Sequence, residues 1–218
     1  LIVSRGLGDV YKRQIFILDG AQLVPHRFVD VQDLGIDFLC VSGHKMLGPT
    51  GIGVVWGRKE LWDSMDPVYG GGDMIEEVYY DKATWAPVPH KFEAGTPPFV
   101  EAIGLGVAAE YLMNITMSEV QQHSDSLREY AKSKLENIDG LNVIHSISKN
   151  AGCTFAMSVE GAHAADISLM LDTYGVAVRA GHHCVQPFHR KLELDATFRA
   201  TGYILSLIHI SEPTRHDQ

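Results

Sequence analysis

The stretch that decides the fold is Phe38-Leu39-Cys40-Val41-Ser42-Gly43-His44-Lys45-Met46-Leu47-Gly48-Pro49-Thr50-Gly51. Its first four residues are apolar and short, the signature of a buried strand. The strand ends in small and polar residues, and a lysine follows. Open α/β sheets place ligands at the C-terminal edge of their strands. A lysine there can lose its proton by desolvation and become a nucleophilic amine. A single loop lysine is ordinarily solvated, but a second strand-to-loop edge lies upstream. Ile15-Phe16-Ile17-Leu18 is apolar and ends in Asp19-Gly20-Ala21-Gln22. Two neighbouring strand ends would then offer a carboxylate, an amide, a hydroxyl, an imidazole and an amine to one cleft.

That donor set suits pyridoxal phosphate: an amine for covalent attachment, an acid for the pyridinium nitrogen, and donors for the ring oxygen and phosphate. Read together, DGAQ at 19–22 and SGHKMLGPTGIG at 42–53 resemble the fold-type I, pyridoxal-phosphate-dependent cysteine desulfurases. RAGHHCVQP at 179–187 is similar to their SufS-like branch, which includes selenocysteine lyases, within the class-V aminotransferases. The resemblance covers roughly residues 15–205, and its motifs are long.

The resemblance implies a set of roles. Lys45 attaches the cofactor, Asp19 partners the pyridinium nitrogen, and Gln22 faces the phenolic oxygen. Ser42 and His44 are phosphate-side contacts. Thr96, in Phe92-Glu93-Ala94-Gly95-Thr96-Pro97-Pro98, reaches the cofactor phosphate of the other subunit, which implies a homodimer with a shared active site. Cys184 accepts sulfur. Arg199 grips the substrate carboxylate, with Arg179 a second candidate for the same pocket. The implied reaction removes sulfur from L-cysteine, or selenium from L-selenocysteine. It yields L-alanine and an enzyme persulfide, which passes to a sulfur-acceptor protein for iron–sulfur cluster assembly.

Composition narrows the partners. The chain has 218 residues, a net charge of -9 and 45% hydrophobic residues, enough for one large or two small domains with a core. The acidic balance argues against a nucleic-acid partner. No apolar run approaches the length of a membrane span. Three scattered cysteines, Cys40, Cys153 and Cys184, form no disulfide framework, and a cytoplasmic protein with reduced thiols is expected.

The expected fold is α/β: a partial fold-type I transferase, with the remainder of a major domain and its mixed sheet at 15–115 and a smaller, incomplete α+β domain at 116–204. Residues 1–14 and 205–218 break from the pattern beside them and resemble translated adapter-derived ends. They are expected to be non-native, which would make the chain an internal fragment. Genuine flexible termini are the alternative.

Along the chain, Gly53–Gly57 reads as a returning strand and Arg58–Met65 as a surface helix. Gly70-Gly71-Gly72 is a linker, a turn or a mobile loop, since glycine takes backbone angles barred to other residues. Tyr79–Pro89 reads as irregular. Val100–Leu112 has helical periodicity. A second helix is expected over Ser118–Ile138, with Ser118 as N-cap and Gly140 beyond its end. Leu141–His145 and Thr154–Val159 alternate like half-buried strands. Asp166–Tyr174 is a short helix, and Val176-Ala177-Val178 a strand leading into the histidine-cysteine motif.

Cys184 is the candidate nucleophile: a thiolate attacks sulfur, and adjacent histidines and Arg179 could favour that form. A zinc site would want further ligands at diagnostic spacing, which Cys40 and Cys153 do not supply, so no metal is expected. Cys40 and Cys153 read as structural. Three alternatives stand beside the desulfurase reading. A selenocysteine lyase shares nearly every motif. A kynureninase-like or aminotransferase-like enzyme would not need Cys184. A catalytically silent fragment would only bind a partner, since the family draws a ring-stacking histidine and further phosphate contacts from a portion with no match here.

Overall fold

The computed structural model describes residues 14–144 and 151–204. These residues divide into two compact units, one ending at Met117 and the other beginning at Ser118.

The first unit is built on a three-stranded sheet in the order β1 (Ile17–Asp19), β2 (Phe38–Ser42), β3 (Gly53–Gly57). Strands β1 and β2 are parallel, with Asp19 opposite Cys40, and β2 and β3 are antiparallel, with Ser42 opposite Gly53. Leu18, Ile36 and Leu39 are buried, and Leu23, Val24 and Leu34 from the connecting segment pack on them. The opposite sheet edge is fastened by Asp37. Its carboxylate accepts the Phe16 N–H at 2.8 Å and pairs with Arg58 Nε at 3.0 Å.

Helix α1 (Lys59–Ser64) places Trp62 edge-on to Phe38, with ring centroids 4.9 Å apart, and 4.7 Å from Phe92. Lys91 is buried and donates to the Asp63 carbonyl at 3.2 Å, a cation placed where a helix end is electronegative. Helix α2 (Phe99–Ile115) buries Leu105, Ala108 and Leu112. It packs on the 3₁₀ turn Gly43–Met46 that carries Lys45. The close approach uses Gly104, where a Cβ would stand 3.2 Å from Pro49 Cγ.

One segment of this unit differs from the sequence reading, and one resolves its alternatives. Residues 79–89 are not wholly irregular: β4 (Ile75–Val78) and β5 (Ala83–Trp85) form an antiparallel hairpin. Every residue of β4 is exposed, so no apolar alternation announces it. The Gly70–Gly72 run, read as a linker, a turn or a mobile loop, leads into a turn at Gly72-Asp73. The Gly95 N–H donates to the Gly72 carbonyl at 2.8 Å, and a Cβ on Gly71 would meet Ala94 Cβ at 2.7 Å.

The second unit is an antiparallel sheet in the order β6 (Leu141–Ile144), β7 (Thr154–Val159), β9 (Thr197–Thr201), β8 (Arg179–Gly181). Phe155, Met157 and Phe198 form its core with Cys153 and Ala164. Leu127 and Leu135 of α3 (Met117–Leu135), and Ile167 and Leu171 of α4 (Ala164–Thr173), pack against that core. A short helix, α5 (Gln186–Lys191), follows β8.

Here too the sequence reading is corrected. Ser118 lies inside α3, which starts at Met117, so it is not the N-cap. Residues 176–178 are not a strand, and pairing begins at Arg179. Helix α5 and strand β9 were unanticipated. Both ends read as non-native lie almost wholly outside the described residues, as does His145. No single helix among the described residues is long and apolar enough to cross a membrane.

Candidate active site

The two strand ends that opened the sequence reading meet at one sheet edge. Because β1 and β2 run parallel in register, the chain leaves both at the same side after Asp19 and Ser42. Asp19 is exposed rather than buried, and its Oδ1 accepts the Ala21 N–H at 3.0 Å. That bond fixes the turn carrying Gln22, which is exposed. Gly20 seals the turn onto β2: its N–H donates to the Cys40 carbonyl at 2.8 Å, and a Cβ there would stand 2.6 Å from Leu39 Cδ1.

Lys45 is half-buried in the 3₁₀ turn Gly43–Met46. The turn is built around Gly43, whose N–H donates to the Ile52 carbonyl at 3.0 Å and whose carbonyl accepts the Gly48 N–H at 3.0 Å. A Cβ at Gly43 would stand 2.8 Å from the Ile52 carbonyl oxygen. Leu47 closes the turn in the left-handed region, at φ 64°. Ser42 Oγ lies 3.0 Å from Nδ1 of the exposed His44, so hydroxyl and imidazole form one polar pair beside the lysine.

Thr96 is exposed on a separate loop of this unit, next to Gly95 at φ 73°. Asp19, Gln22, Ser42, His44 and Lys45 thus leave one edge of the sheet, and Thr96 sits on the loop tied to the glycine run. An acid, an amide, a hydroxyl-imidazole pair and an amine over glycines that admit no Cβ fit the demands of pyridoxal phosphate.

The second unit holds the remaining candidates. Arg179 and Arg199 are register partners across β8 and β9. Side chains directly opposite share one face, and like charges so placed repel unless an anion lies between them. Arg199 lines a cavity of about 400 Å³ with Thr154, Ala156, His183, Phe188 and Thr197. Cys184 is exposed, at the turn between β8 and α5. His183 is held below its ordinary pKa by burial first, then by Arg199, and the Thr197 carbonyl opposes this. Cys153 is buried, and burial raises its thiol pKa. Cys40 is partly buried in β2.

The sequence reading missed Thr197 and His189. Thr197 is 1% exposed and His189 4%, and His189 Nε2 lies 3.0 Å from Thr197 Oγ1. No sequence signal marked them, because the residues between them, from Arg190 to Ala196, are largely polar and exposed.

The chain is similar to known proteins in both sequence and fold. The aminotransferase class-V family model matches residues 6–207. A probable cysteine desulfurase of Halobacterium salinarum is 47% identical over 190 residues, which are 87% of this chain and 46% of that protein. A cysteine desulfurase of Haloferax volcanii is 45% identical over 190 residues, 87% of this chain and 44% of its own length. Among solved structures, the cysteine desulfurase CsdA from Escherichia coli superimposes with a TM-score of 0.80 at 38% identity, covering 87% of this chain and 47% of its own. The apo cysteine desulfurase from Thermococcus onnurineus gives a TM-score of 0.85 at 33% identity, covering 90% and 50%. The chain spans about half the length of the curated relatives it matches.

Proposed function

We propose a sulfur-transfer chemistry for this chain, which belongs to the aminotransferase class-V family. The reaction is L-cysteine plus the Cys184 thiol giving L-alanine plus a Cys184 persulfide. The carbon–sulfur bond of the substrate breaks, a sulfur–sulfur bond forms on Cys184, and the substrate carbon gains the hydrogen. The observation that carries the reading is the convergence of Asp19 and the Lys45 turn at one edge of a parallel strand pair.

The cofactor is pyridoxal phosphate, held by Lys45, Asp19, Gln22, Ser42 and His44. When bound, it supplies an electron sink for bond cleavage beside the substrate α-carbon. The chain's own residues do the rest. Lys45 Nζ is the attachment amine and then the base that moves the α-proton. Asp19 would keep a proton on the pyridinium nitrogen. The Ser42–His44 pair and the Gly43 turn orient the phosphate end. Arg199, with Arg179 beside it, binds the substrate carboxylate, for which a planar guanidinium is suited. The exposed Cys184 sulfur is the acceptor.

The finer features belong to the same reading. Thr96 serves the cofactor phosphate of a second subunit, so the working form is a homodimer with shared sites. The persulfide passes to a sulfur-acceptor protein for iron–sulfur cluster assembly in the cytoplasm. The test is mass analysis of tryptic peptides after incubation with pyridoxal phosphate and ³⁵S-cysteine. Label that is released by reductant from the Cys184 peptide, with alanine formed in equal amount, supports the proposal. Alanine formed with no label on Cys184 refutes it.

A further inference from the structure

The turn that presents Cys184 is strained. The Val185 N–H donates to the His182 carbonyl at 2.9 Å, closing a four-residue turn. Its two central residues, His183 and Cys184, have φ of 52° and 64°. Two consecutive positive φ values are the mark of a type I′ turn, which favours Asn-Gly because side chains with a Cβ are disfavoured there. Histidine is enriched among non-glycine residues at positive φ, but cysteine is not, so the cost falls on Cys184. Such conformations persist only where the surroundings over-determine them.

The surroundings converge on Thr197. His183 Nε2 lies 3.1 Å from the Thr197 carbonyl, and His189 Nε2 lies 3.0 Å from the Thr197 hydroxyl. His189 Nδ1 lies 3.3 Å from the Val185 carbonyl. A carbonyl only accepts, which fixes the tautomers. His183 carries its proton on Nε2 and donates to Thr197, leaving its buried Nδ1 without a partner. His189 carries its proton on Nδ1, donates to Val185, and accepts the Thr197 hydroxyl proton at Nε2. One buried residue therefore grips both neighbours of Cys184: His183 directly, and Val185 through His189.

We infer that Thr197, His189 and His183 are positioning residues that clamp the strained His182–Val185 turn and thereby hold Cys184 outward for sulfur acceptance. The purpose assigned to the clamp rests on the proposed desulfurase reading. Its existence does not, so the test reads the turn and not turnover. The probe is hydrogen exchange at the Val185 amide, which makes the turn's own bond. In Thr197→Val, which exchanges the hydroxyl for a methyl, that amide exchanges roughly tenfold faster, as expected for loss of about one hydrogen bond's worth of local stability. Thr197→Ser restores the native rate. The Phe155 and Met157 amides of β7 exchange as before.

Unchanged exchange at Val185 overturns the inference. So does equal acceleration of all three amides, which would make Thr197 a general core residue. Should Thr197→Val fail to fold, substitutions at the turn carry the test. Cys184→Gly melts above Cys184→Ala by several degrees, because glycine accepts the positive φ freely. His189→Leu shrinks that gap, since a released turn no longer imposes the angle. An equal gap with and without His189→Leu overturns the clamp. Failure of the ³⁵S experiment with success here would refute only the function.

Discussion

Asp19 and Cys40 stand opposite one another in the parallel pairing of β1 and β2, so the carboxylate and the lysine turn emerge at the same sheet edge. Asp19→Asn keeps an acceptor for the Ala21 N–H, which Oδ1 now receives at 3.0 Å, but removes the charge. The turn should survive and cofactor attachment at Lys45 should persist, with alanine formation slowed by roughly 100-fold, as for loss of one charge-stabilising group. Single-turnover assays check this, and an unaltered rate would remove Asp19 from the site.

The Lys45 turn depends on absent side chains. At Gly43 a Cβ would stand 2.8 Å from the Ile52 carbonyl oxygen, against 3.2 Å from Pro49 Cγ at Gly104. Gly43→Ala must move backbone and should cost about 1–3 kcal/mol. Gly104→Ala needs a shift of a few tenths of an ångström and should cost less. Thermal melts of both variants give the order directly.

These relationships divide into what could and could not be read from the sequence. β2 was legible because four apolar residues in Phe38–Val41 end abruptly in Ser42 and Gly43. The β4–β5 hairpin was not, because β4 lies exposed throughout and carries Glu76 and Glu77 where an apolar face would show. Val176-Ala177-Val178 has the stronger strand propensity. Yet pairing with Thr197–Arg199 selects Arg179–Gly181, a tertiary choice that overrides propensity. The candidates at the strand ends came from motifs whose spacing is local. The Thr197 clamp joins residues 8 and 14 positions apart and is visible only once β9 pairs with β8.

Arg199 shares its face with Arg179 across β8 and β9. Arg199→Lys keeps the charge and loses the two-pronged geometry. The KM for cysteine should rise roughly tenfold with a smaller change in kcat. A kcat effect with an unchanged KM would argue that Arg199 does not hold the substrate carboxylate.

The thiols of the second unit should separate by reactivity. Cys184 is exposed, and Cys153 is buried with its pKa raised by burial. Iodoacetamide near neutral pH should label Cys184 at once and Cys153 only after denaturation. Equal labelling in the native state would contradict the placement of Cys153 in the core.

Two histidines should weaken the fold on the acid side. His183 and His26 lie below their ordinary value of 6.5, each mainly through burial and further through neighbouring arginine charge. A depressed folded pKa means the unfolded chain takes up protons first. Stability is therefore fully present above about pH 6.5 and is lost progressively as pH falls below it. Melting temperatures should fall as the pH drops below about 6.5. Gln in place of both histidines should flatten that limb, and an unflattened limb would assign it to other groups.

The central claim is that Lys45 is the attachment lysine of a pyridoxal phosphate site. Borohydride trapping after incubation with the cofactor, followed by peptide mapping, measures it. The account predicts one modified lysine, Lys45, with label lost in Lys45→Ala. Label spread over Lys59, Lys82 and the other surface lysines, or undiminished in Lys45→Ala, would contradict it.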